Sequence, residues 1–219
     1  MFAKITENSA LCNLIADKNL PAKNCLDIGT GTGLLSLMLA QKTTATIDAV
    51  EINTAAFRQA KENFEQSPWQ ERLSIFNKDI FQFETEKKYD CIISNPPFYE
   101  NELASDLIKK NIAHHSEQLT IAQVLKFIQT YLNEEGSFFL MYPFKRKEEV
   151  ERMVAQNELH IINSIILHQS VKHGPFRVII KGARKNIIAA EQTSISVWDE
   201  NQKYTSAFTR LLKDYYLNL

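Results

Sequence analysis

The spacing of hydrophobic and polar positions changes several times along the chain, and each change marks a predicted element. Residues 6–17 read as a short amphipathic helix with Thr6 as N-cap and Leu11, Leu14 and Ile15 on one side. Residues 24–28 are a short apolar strand, followed by a glycine-rich turn and an apolar helix through Leu34, Leu35, Leu37, Met38 and Leu39. A second strand covers 45–50, and a helix capped by Thr54 or Asn53 covers 54–65 until Pro68 and Trp69 break it. Strands follow at 73–76 and 89–94. Residues 99–116 carry no clear period and read as a mobile loop. Periodicity resumes with a helix at 120–132, a strand at 137–141, a helix at 145–156 and a strand at 160–167. The turn His173-Gly174-Pro175 then predicts antiparallel pairing with a strand at 176–181. A short strand at 195–198 and a helix at 206–216 complete the chain.

Strands alternating with helices predict an α/β fold. The length of 219 residues and an apolar content of 44% suit one domain with a full core. The chain shows neither a charged, apolar, small-residue leader nor a long uncharged apolar run, so the expectation is a cytoplasmic protein with no membrane segment. Cys12, Cys25 and Cys91 are odd in number and far apart, and two fall in predicted core strands, which suits reduced, buried thiols rather than disulfides or zinc. No metal is expected. A net charge of −1 gives no general attraction for nucleic acid, so any such binding needs a local patch. Between Glu158 and Glu191 there is no acidic residue, while Lys172, Arg177, Lys181, Arg184 and Lys185 are present. That hairpin is either a phosphate-gripping surface or a solvated basic face.

Candidate chemistry gathers at the predicted C-terminal strand ends, where ligands bind in open α/β sheets. In Cys91-Ile92-Ile93-Ser94-Asn95-Pro96-Pro97-Phe98 the two prolines restrict their own φ and the residue before each. The stretch offers two acceptors, the Asn95 side-chain carbonyl and the Pro96 backbone carbonyl, beside the Phe98 ring. That set fits a nucleobase amine and, less well, a carboxamide. Asp27-Ile28-Gly29-Thr30-Gly31-Thr32-Gly33 places a tight turn between strand and helix. Its G-x-G-x-G spacing departs from the dinucleotide pattern G-x-G-x-x-G. Glu51 follows the loop by about 20 residues, the place of a ribose-binding carboxylate. Asp79 ends a third strand, where it is either an acceptor for an adenine amine or an ordinary turn residue. His114 and His115 are adjacent and so point apart on a regular element, which argues against a shared metal.

In this order the glycine loop, Glu51, Asp79 and Asn95-Pro96-Pro97-Phe98 resemble the S-adenosylmethionine-dependent N6-adenine methyltransferases. The run from Gly29 to Gln41, Pro68-Trp69, Ser94 to Phe98 and the ending from Tyr204-Thr205 through Asp214-Tyr215-Tyr216-Leu217 resemble, more narrowly, the bacterial valine-tRNA adenine N6-methyltransferases. The resemblance covers nearly the whole chain and is strongest at residues 24–98. It implies a Rossmann-like class I methyltransferase with a mostly parallel seven-stranded sheet, an antiparallel C-terminal hairpin and helices on both faces. The expected organisation is one domain over 1–219, with an N-terminal helix in 1–20, a cofactor-binding and catalytic half in 24–98, a mobile loop in 99–116, and a C-terminal hairpin and helix in 159–219, whose basic stretch is the candidate RNA-binding surface. Asn95, Pro96, Pro97 and Phe98 are then the catalytic residues, and Asp27, Gly29, Gly31, Gly33, Glu51 and Asp79 hold S-adenosylmethionine. The implied reaction is methylation of the adenine beside the anticodon of valine tRNA, by a monomer. Two departures stand out: members of the family usually begin with a basic strand ahead of the segment resembling Lys4-Ile5-Thr6, and they commonly carry an acid at the place of Asn8 and an arginine at that of His114.

Rival readings follow from the same residues. Release-factor glutamine N5-methyltransferases use a similar Asn-Pro-Pro-aromatic motif, but carry a helical substrate domain for which the residues before Asn24 leave no room. Ribosomal RNA and DNA amines are further possible targets. A nicotinamide-dependent reductase or a non-catalytic nucleotide-binding module explains the glycine loop but not the two prolines.

Overall fold

The computed structural model describes residues 22–95, 120–185 and 191–215. The helix expected at 6–17 and the loop expected at 99–116 lie outside these. The first half alternates β1 (Asn24–Ile28), α1 (Leu34–Lys42), β2 (Thr46–Val50), α2 (Thr54–Glu65), β3 (Leu73–Phe76) and β4 (Tyr89–Ser94). The second runs α3 (Ile121–Tyr131), β5 (Leu132–Pro143), α4 (Lys147–Gln156), β6 (His160–Ser170), β7 (Pro175–Ala183), β8 (Glu191–Trp198) and α5 (Ser206–Leu212). Side-chain acceptors start the helices where backbone N–H groups lack partners. Asn53 Oδ1 accepts from Ala55 N and Ala56 N at 3.0 Å each, and Thr120 with Gln123 forms a reciprocal capping box on α3.

All eight strands form one sheet in the order β3-β2-β1-β4-β5-β7-β6-β8. Strands β1 to β5 pair in parallel, β7 runs antiparallel to both β5 and β6, and β8 lies parallel to β6. The expected hairpin is therefore present, and the described residues give the sheet eight strands where seven were expected. The eighth pairs with β6 from Asn163↔Glu191 to Ser170↔Trp198. Its first four residues, Glu191, Gln192, Thr193 and Ser194, are polar and exposed at the sheet edge. Backbone pairing rather than burial makes them a strand, and apolar periodicity shows only its second half. Strand β5 likewise begins at Leu132 and runs through the polar stretch Asn133-Glu134-Glu135-Gly136, ahead of the expected start at 137. Helix α5 ends at Leu212, short of the expected residue 216.

Alternating strand residues build two cores. Leu26, Ile28, Ile92, Phe138, Leu140, Val178 and Ile180 pack with Val124, Leu125 and Ile128 of α3 and Val150 and Val154 of α4. Cys25, Ile47, Cys91, Ile93, Phe139, Met141 and Ile179 pack with Leu35, Met38 and Leu39 of α1. Helices thus cover both faces, as continuous burial of a parallel sheet requires. Burying each large apolar side chain contributes about 1.5–3 kcal/mol. Cys25 and Cys91 are register partners on β1 and β4, and both are buried. Among the described residues no helix is long and apolar enough to cross a membrane.

Candidate active site

The parallel register places four strand ends level with one another. Ile28 pairs with Val50 and with Ser94, and Val50 pairs with Phe76. Gly29, Glu51, Asn77 and Asn95 therefore each stand one residue beyond the rim. Bonds between neighbouring ends hold them there: Gly29 N donates to Val50 O at 2.9 Å and Glu51 N to Phe76 O at 3.0 Å. Ser94 Oγ donates to Ile28 O at 2.8 Å and is fully buried. This bond clamps the end of β4 to that of β1 immediately before Asn95, which is itself half-buried.

Three glycines shape the loop after β1, with φ of 73° at Gly29, 62° at Gly31 and 81° at Gly33. A Cβ on Gly31 would meet nothing within 4 Å, so the loop presents open backbone there. A Cβ on Gly33 would stand 2.5 Å from Phe64 Cε1, where α2 packs against the start of α1. Asp27 lies beneath this turn, 1% exposed. Its Oδ2 accepts from Thr30 Oγ1 at 2.6 Å and Ser36 Oγ at 2.7 Å. Burial pushes the Asp27 carboxyl up to about 6, although both hydroxyls favour its ionised form.

Glu51 is only 8% exposed and spans the next gap. Its Oε2 accepts from Gly31 N and its Oε1 from Asn53 N, both at 2.8 Å. Asn77 Nδ2 supports the same end of β2 by donating to Glu51 O at 2.8 Å and Ile52 O at 3.2 Å. Asp79 Oδ1 accepts from Phe81 N at 3.0 Å, capping a 3-10 turn at Ile80–Gln82. Beside these two acids stand Ile52 and Phe81, large apolar side chains that are 57% and 49% exposed.

This set fits a nucleoside. Carboxylate oxygens keep acceptor capacity for ribose hydroxyls, exposed apolar groups offer a face to a purine, and the Gly31 backbone admits a close ligand. S-adenosylmethionine, with its adenosine and amino-acid ends, suits the residues present. Among the described residues no group of three or more His, Cys, Asp or Glu side chains is arranged to hold a metal ion.

Of the residues expected from sequence, Gly29, Gly31, Glu51 and Asn95 come together at the rim, and Asp79 lies on the loop after β3. Asp27 and Gly33 sit underneath, shaping the loop. Pro96, Pro97 and Phe98 lie outside the described residues. Sequence reasoning missed the support, namely Thr30, Ser36, Asn77 and Ser94, and the apolar pair Ile52 and Phe81. Ser94 carried a signal, as the polar end of an apolar strand. The basic stretch does not form one surface: Lys172 and Arg177 are near the rim, whereas Arg184 and Lys185 meet Glu134 and Glu135 near the start of β5.

Comparison with known proteins agrees with this geometry. The model of the methyltransferase small domain family matches residues 8–141. A tRNA1(Val) (adenine(37)-N6)-methyltransferase of Dyadobacter fermentans is 37% identical over 200 residues, covering 90% of this chain and 83% of that protein. One from Cytophaga hutchinsonii is 36% identical over 201 residues, covering 89% and 82%. Among solved structures, a predicted O-methyltransferase from Agrobacterium tumefaciens superimposes with a TM-score of 0.71 at 12% identity, covering 94% of this chain and 95% of that one. A glycopeptide N-methyltransferase complexed with S-adenosylmethionine gives a TM-score of 0.60 at 11% identity, with 81% and 94% covered. These two share the fold. The length and identity of the sequence matches go further: the chain belongs to the methyltransferase small domain family and to the tRNA1(Val) (adenine(37)-N6)-methyltransferases.

Proposed function

We propose that this protein methylates the exocyclic N6 amine of an adenine in tRNA, the adenine beside the anticodon of valine tRNA, using S-adenosylmethionine. The observation that carries the reading is the Ser94 Oγ bond to Ile28 O, which fixes Asn95 at the rim next to the glycine loop. Family membership supports the substrate, since the relatives are named for that tRNA and that amine. Glu51 holds the ribose, Asp79 meets the adenine amine of the cofactor, and the Gly29 to Gly33 loop lies against its amino-acid end.

When bound, S-adenosylmethionine supplies an electrophilic methyl group on a sulfonium sulfur. The protein's task is to make a poor nucleophile attack it. The N6 lone pair of adenine is shared with the ring. Asn95 Oδ1 accepts one N–H and the Pro96 carbonyl accepts the other, which favours a pyramidal nitrogen with a localised lone pair. Both acceptors would also stabilise the positive charge that grows on nitrogen as the N–C bond forms and the methyl–sulfur bond breaks, with S-adenosylhomocysteine as the leaving thioether. Once alkylated the nitrogen is acidic and releases its proton without a strong base. Phe98 stacks on the extracted base, an interaction worth about 1–3 kcal/mol, while Pro96 and Pro97 stiffen the loop. Holding both reactants in line contributes up to about 7–11 kcal/mol in favourable systems.

The test is transfer of labelled methyl from S-adenosylmethionine to total unmodified tRNA, with release factor in parallel, followed by nucleoside digestion and mass analysis. N6-methyladenosine in tRNA is the expected product. Label in protein alone would instead assign a glutamine side chain as acceptor.

A further inference from the structure

We propose that Asn63, in the last turn of α2, is a positioning residue for S-adenosylmethionine, because it holds the carbonyl of Thr32 and through it the backbone of the glycine loop. The inference rests on the cofactor reading above and adds what sets the loop from behind. Asn63 Nδ2 donates to Thr32 O at 2.8 Å, a bond between residues 31 positions apart. Asn63 and Phe64 lie three and four residues beyond Ala60, so the three share one side of α2. Phe64 and Ala60 are the side chains that a Cβ on Gly33 would meet, at 2.5 and 3.3 Å. The last turn of α2 thus packs on the loop at Gly33 and bonds it at Thr32. At its other end α2 is fixed to the rim, since Asn53 caps it, Glu51 accepts from Asn53 N, and Thr54 Oγ1 donates to Asn77 Oδ1 at 3.1 Å.

A peptide unit is planar, with its carbonyl and N–H pointing opposite ways, so a bond at each end fixes its orientation. Between Ile28 and Gly29 the carbonyl accepts from Ser94 Oγ and the N–H donates to Val50 O. Between Thr30 and Gly31 the carbonyl accepts from Gly33 N at 3.1 Å and the N–H donates to Glu51 Oε2 at 2.8 Å. Between Thr32 and Gly33 the carbonyl accepts from Asn63 and the N–H donates to Thr30 O. Without Asn63 this last plane keeps only a bond within the loop itself. The peptide joining Gly31 to Thr32 has no hydrogen bond at either end among the described residues, so its orientation follows from the planes on both sides of it. It is also the open part of the loop, where a Cβ on Gly31 would meet nothing within 4 Å. Gly31 and Gly33 have φ of 62° and 81° and no Cβ to restrict them, so the segment between them turns as a unit once Thr32 O is released.

The bond serves the loop more than the fold. Thr32 is exposed and Asn63 half-buried, so water replaces the lost partner on either side and no buried polar atom is orphaned. A ligand that needs the loop in one conformation must then order it on binding, which weakens the complex. That cost falls on cofactor binding and not on methyl transfer, which the reading above places at Asn95.

Asn63→Ala removes the donor, and Asn63→Asp keeps the shape but turns a carboxylate toward the Thr32 carbonyl. Gln59→Ala removes an exposed amide from the same helix as a control. The full chain is titrated with S-adenosylhomocysteine by calorimetry, and kcat and the KM for S-adenosylmethionine are measured in methyl transfer to unmodified tRNA. Asn63→Ala is expected to weaken S-adenosylhomocysteine binding and to raise the KM for S-adenosylmethionine about three- to tenfold, the effect of one hydrogen bond. Asn63→Asp extends both losses. In each variant kcat at saturating cofactor stays within about twofold of wild type, a split that general damage to the fold does not produce. Gln59→Ala behaves as wild type. Wild-type affinity and KM in both Asn63 variants, or a loss confined to kcat, would overturn the proposal. Binding of S-adenosylhomocysteine by the wild type without methyl transfer to tRNA would overturn the substrate reading alone, and the Asn63 contrast would then be decided by affinity. Absence of S-adenosylhomocysteine binding in the wild type would overturn the cofactor reading and this proposal together.

Discussion

The Glu51 carboxylate and the Gly31 amide meet at 2.8 Å, joining the end of β2 to the loop after β1. The second oxygen of Glu51 holds Asn53 N at the same distance, so one side chain sets loop and helix entry together. Glu51→Gln replaces one acceptor by an NH2 group that faces a backbone N–H. Hydrogen bonds to charged groups contribute about 1.5–3 kcal/mol. S-adenosylhomocysteine affinity should therefore fall by about tenfold or more in calorimetric titration, and full affinity would remove Glu51 from the site.

Gly31 and Gly33 differ in what surrounds them, and alanine should separate their roles. Both have positive φ, a conformation costing a side chain about 1–2 kcal/mol. At Gly33 the new Cβ also meets Phe64 at 2.5 Å, so Gly33→Ala should lower the unfolding midpoint by the larger amount. At Gly31 the Cβ enters open space, so Gly31→Ala should lose S-adenosylhomocysteine affinity beyond its smaller loss of stability. Urea unfolding and ligand titration of both variants check the contrast.

Burial of Asp27 gives a pH signature. Its carboxyl is raised to about 6 in the folded protein, against about 4 in an unfolded chain. The folded state holds this proton more tightly, so its contribution is fully present below pH about 4 and is lost as pH rises through about 6, about 3 kcal/mol in all. Asp27→Asn lacks that titration. The stability of the variant relative to wild type should rise between pH 4 and 6 in urea unfolding, and a constant difference would refute the assignment.

Two buried tyrosines should respond oppositely to loss of their hydroxyls. Tyr89 OH donates to the buried Asp48 carboxylate at 2.9 Å, alongside Lys87 Nζ at 2.8 Å. Tyr142 OH is buried and has no hydrogen-bond partner among the described residues. Tyr89→Phe should cost about 1–3 kcal/mol, because it removes a donor from a buried charge, while Tyr142→Phe should be neutral or stabilising. Thermal unfolding of the two variants decides it.

Much of the fold was legible because burial and period agree in the first half. Residues 24–28, 54–65, 73–76 and 89–94 form the elements their patterns predict. Legibility failed where backbone pairing acts without burial, as at Glu191 to Ser194, and where polar residues continue a strand, as at Asn133 to Glu135. In the site, Glu51 and Asn95 were visible as polar residues ending apolar strands. Asn77, Ile52 and Phe81 were not, because their places depend on how neighbouring strand ends stand beside one another. The basic hairpin was legible in composition only; the antiparallel direction of β7 is what divides its cations between the two ends of the sheet.

The central claim is that Asn95 activates the target amine rather than holding the cofactor. Its most direct test is the single-turnover rate of methyl transfer to unmodified tRNA by Asn95→Ala at saturating S-adenosylmethionine, with S-adenosylhomocysteine affinity measured on the same protein. Loss of one preorganised partner of the developing charge predicts a fall of about 10²-fold or more, with affinity unchanged. A wild-type rate in the variant would contradict the mechanism.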